Sequence, residues 1–262
     1  MGSLVRHRLG TADLGRALRP LAEWMPVDAP GGGVHPGDLG WQTRFDGAEF
    51  LLWTVDDEPV AAGYSDGGVL RVTAAPGADR QALAADLAEG DDRAVDGVPM
   101  PGWGRDEERW SVMSWAPRAV ESRAEAVDYA SAGDRVLVQR ASFANSIFTL
   151  DKWQRMHASP AAGLAVEMLV RTPSGEPAAA ATGWFAGVGR CGLLEPVGTH
   201  EDHRGHGYGR DVVRGVCAAL AGRGASAVAV VTPSANVGAV ALYKSAGFTV
   251  LRENQDWLRP AA

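Results

Sequence analysis

The chain has 262 residues, 46% hydrophobic and 22% charged, which is enough apolar mass for one large core or two smaller ones and too much for a disordered chain. Lysine and arginine total 25 against 32 aspartates and glutamates, a formal net charge of −7, so bulk electrostatics give no argument for nucleic-acid binding. Two cysteines, Cys191 and Cys217, cannot frame a disulfide-stabilised fold, and nowhere do about 18 consecutive apolar residues occur, so a cytoplasmic protein without a membrane partner is expected.

The stretch Met1-Gly2-Ser3-Leu4-Val5-Arg6 turns charged before any apolar run long enough for a signal-peptide core, and Arg6 stands where a myristoylation pattern needs Ser or Thr. Glu49 to Val55 reads as a strand, Asp56-Asp57-Glu58-Pro59 as a turn, Val60 to Tyr64 and Val69 to Thr73 as strands, and Asp79 to Glu89 as a helix. The same order returns later. Leu164 to Arg171, Ala178 to Phe185 and Cys191 to Thr199 read as strands, followed by a glycine-rich turn and a helix from about Gly207 to Ala221. The Glu-Pro turn before an alanine run recurs as Glu58-Pro59 and Glu176-Pro177, which argues for a duplicated unit. Pro99-Met100-Pro101-Gly102 and Ala116-Pro117-Arg118 break the periodicity between the copies, setting a boundary near residue 120 and domains of 1–120 and 121–262. Each is expected to be a mixed sheet with helices on both faces, an α/β architecture of the α+β mixed-sheet kind.

The most informative stretch is Arg204-Gly205-His206-Gly207-Tyr208-Gly209-Arg210, between a strand and an amphipathic helix. Glycines let the backbone approach a ligand, and the first amides of a helix lack partners at the positive end of its dipole, so a phosphate is favoured there. Arg204 and Arg210 add positive charge at either end of the turn. A dinucleotide fingerprint would need glycine at 210, and a P-loop would need Gly-Lys followed by Ser or Thr; neither is present. Downstream, Ser226 to Val231 reads as a strand, and Asn236 can cap a helix beginning at Val237. Leu242 is expected to face the core, and Gly247 and Phe248 suit a helix terminus and a strand start.

Arg-x-x-Gly-x-Gly in Arg204, Gly207 and Gly209, followed by Asn236, Ala239, Leu242, Tyr243, Gly247 and Phe248 at their present spacing, resembles the two acyl-CoA-contacting motifs of the GNAT superfamily of N-acetyltransferases. The resemblance covers residues 145 to 252 well and the first half faintly, so it implies two tandem GNAT-like domains, the first degenerate. It further implies that acetyl-CoA is the cosubstrate and that the reaction transfers its acetyl group to a primary amine of unidentified structure. In its terms the turn Arg204, Gly205, His206, Gly207, Tyr208, Gly209, Arg210 holds the pyrophosphate and Asn236 touches CoA. Val197 and Thr199 offer main-chain groups to the pantetheine arm, and the Tyr243 hydroxyl lies beside the thioester sulfur as general acid. The resemblance leaves a homodimer open.

Acyl transfer to an amine also needs a base, because an alkylammonium must lose a proton first. Glu195 is the first candidate: alternation along Leu193 to Thr199 would put it on the face of Leu193, Val197 and Thr199, and an acid within an apolar strand is costly without a purpose or a partner. An ion pair with an arginine is the competing explanation. Pro196 supports an interrupted strand, since it cannot donate to a ladder. His200 is a reserve base. His200, His203 and His206 would share a face only on a helix, which Gly205 and Gly207 oppose, so no metal site is expected. The cysteines read as small buried hydrophobes, disfavouring an acyl-cysteine intermediate. In the first half, Pro76 and Asp79 at the corresponding turn work against phosphate binding. His35-Pro36-Gly37-Asp38-Leu39-Gly40-Trp41 reads as a loop-like stretch with an aromatic, which the resemblance places near the acceptor. The alternative to an enzyme is a catalytically silent acyl-CoA-binding sensor or partner-binding module.

Overall fold

The computed structural model describes residues 2–29 and 32–261. The first half runs β1 (Leu4–Leu9), α1 (Gly15–Trp24), α2 (Pro36–Gln42), β2 (Phe50–Val55), β3 (Glu58–Asp66), β4 (Val69–Ala74), α3 (Arg80–Ala88), β5 (Ala94–Asp96) and β6 (Gly104–Arg105). After β7 (Trp110–Trp115) the plan repeats as β8 (Glu125–Ala126), α4 (Ala132–Ser142), α5 (Leu150–Ala158), β9 (Ala165–Arg171), β10 (Pro177–Trp184) and β11 (Cys191–Thr199). It continues with α6 (Tyr208–Gly222), β12 (Ala227–Pro233), α7 (Val237–Ala246), β13 (Thr249–Asn254) and β14 (Trp257–Leu258).

Local chemistry accounts for much of this. The β2–β3 hairpin turns through Asp56 and Asp57, both at left-handed φ, which aspartate tolerates better than most residues. In α6, Val212, Val213, Val216, Cys217 and Leu220 recur at helical spacing and are buried against β9, β10 and β11. A side chain at Gly183 of β10 would collide with Val216 and Leu220, so glycine is what lets the helix lie close to the sheet. Glu167 on β9 is buried and accepts from Arg135 Nε (3.1 Å), Thr182 Oγ1 (2.8 Å), Trp153 Nε1 (2.6 Å) and His157 Nε2 (2.7 Å), tying α4 and α5 to the sheet. Four partners satisfy a carboxylate that would otherwise be costly to bury.

The strands among the described residues form two seven-stranded mixed sheets, ordered β1-β2-β3-β4-β5-β14-β6 and β8-β9-β10-β11-β12-β7-β13. Order and direction coincide position by position: in each, only the fourth and fifth strands are parallel. The sixth strand of each sheet comes from the other half. Trp110–Trp115 lies antiparallel between β12 and β13, while Trp257–Leu258 lies antiparallel between β5 and β6. A boundary near residue 120 along the chain is therefore crossed by a strand in each direction.

The halves also share a core. Trp41 of α2 packs with Phe148, Trp153, Trp184 and Leu193, its ring centroid 5.3 Å from that of Phe148. The stretch from His35 to Trp41, expected as a loop, is helical from Pro36. His35 is its N-cap, accepting from Gly37 N (2.9 Å), Pro36 fills the first turn, and Asp38 Oδ2 accepts from His35 N (2.6 Å), a reciprocal capping box. Gly37 and Gly40, poor helix formers, are required because the Trp184 side chain lies where their Cβ atoms would be. No helix among the described residues is long and apolar enough to cross a membrane.

Candidate functional site

β11 and β12 pair only over Cys191, Gly192 and Leu193; beyond Leu193 they diverge, and β11 continues on its β10 ladder alone. On that ladder Leu194 faces Gly183 and Val197 faces Ala181, so Glu195 and Pro196 together oppose Thr182. This bulge overturns the simple alternation expected for the strand. Leu193 packs among Trp41, Trp184 and Phe148, whereas Val197 packs on the opposite side with the core beneath α6, so the two no longer share a face. The physical reason is Pro196, which has no N–H for the ladder.

The open side of β11 leads into a cleft of about 1000 Å³ lined by Val197, Thr199, the turn His203 to Arg210, Asn236 and Leu242. Gly205 and Gly207 hold φ of 80° and 83°, which side-chain-bearing residues resist. The first α6 bond to Gly207 O comes from Asp211 N (3.0 Å), so the amides of Tyr208, Gly209 and Arg210 have no acceptor among the described residues. A Cβ on Gly209 would sit 2.6 Å from Thr199 Oγ1, so glycine here brings the helix start against the strand. Arg204 donates from Nη2 to Ser142 O (3.0 Å), and neither Arg204 nor Arg210 meets an acid within 4 Å among the described residues. His206 is exposed at the rim with Nδ1 at 2.8 Å from Arg204 O, while the Tyr208 ring is buried and only its main chain heads the helix. Asn236 caps α7, its Oδ1 accepting from Ala239 N (3.1 Å). His200 lines neither this cleft nor the next; its Nδ1 accepts weakly from Asp202 N (3.3 Å).

A second cavity of about 270 Å³ lies between the two sheets, and Val197 is the wall common to both. Glu195 and Tyr243 line it from the second half; Asp38, Tyr64, Arg71 and Asp96 line it from the first. The expectation for α7 is reversed in one respect. Tyr243 belongs to the core, packing at 5.8 Å from Phe248, and Leu242 is the half-buried residue facing the cleft. Burial, and then the negative charge of Glu195, push the Tyr243 phenol up, so it stays O–H across the neutral range. Glu195 forms no ion pair within 4 Å among the described residues; the Arg44 guanidinium, stacked over Trp41 at 4.0 Å, is close enough to feel its charge.

Asp38 stands beside Glu195. Burial, then the charge of Glu195 and a hydrogen bond to it, hold the Asp38 carboxyl well above the usual carboxylate range, so Asp38 keeps its proton more readily than a free aspartic acid. His35 fixes this arrangement: its Nε2 donates to Cys191 O (3.0 Å) on β11 while its Nδ1 caps α2, and burial lowers its pKa to about 4, keeping it neutral. Both cysteines are buried with their thiols pushed up, Cys191 to about 12, so neither supplies a thiolate. Asp38 and Tyr64 escaped the sequence reading. The signal for Asp38 was an acid three residues after an N-cap with proline at the first helical position; for Arg71, a charge between Leu70 and Val72, the same anomaly that singled out Glu195.

Residues 138–248 match the model of the acetyltransferase (GNAT) family. The family's pattern thus falls on the part of the chain that holds β9 to β12, α6 and α7. Solved structures extend the likeness over the whole chain. A GNAT-family acetyltransferase from Colwellia psychrerythraea aligns over 97% of this chain and 100% of its own at 14% identity and TM-score 0.57. A GCN5-related N-acetyltransferase from Sphaerobacter thermophilus aligns over 99% and 97% at 19% identity and TM-score 0.54. A tandem GNAT protein from the clavulanic acid biosynthesis pathway aligns over 98% and 97% at 16% identity and TM-score 0.54, so the two-domain arrangement is shared. Among curated proteins none matches.

Proposed function

We propose that the protein is an N-acetyltransferase that moves the acetyl group of acetyl-CoA directly to a primary amine. On this reading residues 121–262 form the catalytic domain, and residues 1–120 form a degenerate GNAT-like domain that lends α2 to the acceptor side. One observation carries it. The cleft with unpartnered helix amides and two unpaired arginines meets the acid-lined cavity at Val197, where β11 parts from β12.

The residues fit a CoA thioester. The amides of Tyr208, Gly209 and Arg210, the open main chain at Gly205 and Gly207, and the charges of Arg204 and Arg210 suit a pyrophosphate, with His206 and Asn236 at its margins. Val197 and Thr199 offer main-chain groups on the parted edge of β11 to an amide-bearing arm, which would complete the strand. Acetyl-CoA, when bound, supplies an acetyl group already activated as a thioester. Glu195 takes the ammonium proton of the acceptor, and Asp38, hydrogen-bonded to Glu195, holds that carboxylate in place. Tyr243 keeps its O–H and donates a hydrogen bond to the departing sulfur; a phenol with a raised pKa serves by hydrogen bonding rather than by ionising.

Release of CoA thiol from acetyl-CoA in the presence of a primary amine tests this. Glu195→Gln should lower kcat by roughly 100-fold or more while acetyl-CoA still binds by calorimetry. Acetyl-CoA binding without thiol release across a wide amine panel would replace the enzyme with an acyl-CoA-binding sensor.

A further inference from the structure

The floor of the acid-lined cavity is a row of polar residues across the first sheet. Tyr64 on β3 pairs with Arg71 on β4, and Arg71 pairs with Asp96 on β5. Trp257 of β14 pairs with Val95, so the antiparallel register continues to set Asp256 beside Asp96. Three inter-strand spacings carry the row roughly 14 Å from Tyr64 to Asp256. Asp38 and Glu195 stand at the Tyr64 end, where burial and then these acids push its phenol up.

Asp256 is the unusual member. It is 7% exposed and lines the cavity, yet among the described residues no hydrogen-bond donor or ion-pair partner reaches its carboxylate. Arg71 and Arg93 offset its charge only in part: Arg71 Nη1 is 3.4 Å from Asp96 Oδ2 and is drawn on by Asp96, Asp256 and Asp38 together, while Arg93 Nη1 is 3.8 Å from Asp106 Oδ2. Burial, and then the charge of Asp96, push the Asp256 carboxyl up. An anion buried without a donor is costly until a cation arrives. The small volume, at the low end for ligand pockets, suits a narrow chain rather than a peptide or a multi-ring compound.

We propose that the acceptor is a linear polyamine, with its reacting amine at Glu195 and Asp38 and its far ammonium group held by Asp256 and Asp96. The inference rests on the N-acetyltransferase reading for the near end and on the row of the first sheet for the far end. Because Arg71 is outnumbered by acids, an acceptor carboxylate is repelled there.

Three probes of equal length decide the matter: the eight-carbon α,ω-diamine, n-octylamine and the matching ω-amino acid, each assayed for thiol release from acetyl-CoA. The diamine should exceed n-octylamine in kcat/KM by roughly tenfold or more, and the ω-amino acid should fall below both. Asp256→Asn should bring the diamine-to-monoamine ratio to about one. Equal rates for diamine and monoamine in the unaltered protein would overturn the polyamine proposal while leaving acetyl transfer intact; a preference for the ω-amino acid would overturn it in favour of a carboxylate site at Arg71. If none of the three releases thiol, calorimetry separates the two claims. Diamine binding that Asp256→Asn abolishes keeps the cation site and ends the transferase reading, and no diamine binding ends the cation site.

Discussion

The N-termini of α3 and α6 follow the fourth strands of two sheets with one topology, yet they present opposite chemistry. In α3, Asp79 caps the helix, and its Oδ1 accepts from both Gln81 N and Ala82 N at 3.0 Å, so the free amides are taken and the position already holds a negative charge. In α6 the cap is Gly207, which has no side chain to offer; the amides stay open and Arg204 and Arg210 flank them. An anion would meet repulsion at the first site and donors at the second. One capping residue therefore distinguishes a helix start whose amides are taken from one whose amides stay open, at the same place in the fold.

The contrast can be broken most severely at Gly207. Gly207→Val forces a β-branched residue into a φ of 83° and covers the open amides, so acetyl-CoA affinity should fall by roughly 100-fold, read by calorimetry. Next is Tyr243→Phe, which removes the hydroxyl on the catalytic side alone; kcat should fall by roughly 10- to 100-fold with acetyl-CoA affinity retained, and full turnover at every pH would remove the tyrosine from the mechanism.

His35 sharpens the other side of the comparison, because it is what the first half contributes to the second. Its native pKa of about 4 lies below its usual 6.5, so between those values the unfolded chain binds a proton that the native one does not. Stability is therefore fully present above about 6.5 and should decline toward pH 4, by up to about 3 kcal/mol from this group. Asp38, shifted upward, contributes the opposite slope, so the difference between wild-type and His35→Gln denaturation curves across this window is the quantity to measure. The smallest effect is expected at Asp79: Asp79→Ala should cost about 1 kcal/mol in thermal unfolding through the lost cap, without altering acetyl transfer.

What the sequence made legible was local. The turn at Arg204 to Arg210, the Asn236 cap and the periodic faces of α6 each depend on neighbours a few residues apart, and each stands where its pattern puts it. Glu195 was visible as a charge in an apolar strand, but its register was not, because the bulge at Pro196 arises from how β11 meets β10. Helix α2 was hidden for a similar reason. Gly37 and Gly40 argue against a helix locally, and only the indole of Trp184, contributed by the other half, makes those glycines favourable. Asp38 was missed with the helix that carries it. The row from Tyr64 to Asp256 runs over neighbouring strands as far as Asp96, but its last step, to Asp256, exists only through the exchanged β14, and no spacing along the chain encodes that step.

That exchange binds the fate of the two halves. Trp110–Trp115 precedes the midpoint of the chain but completes the sheet that carries the glycine turn, sitting between β12 and β13. A chain cut back to its second half would lose a strand from the interior of the sheet that carries the glycine turn. The first half can therefore differ at its own turn, where Asp79 caps α3, yet it cannot be removed without opening the second sheet.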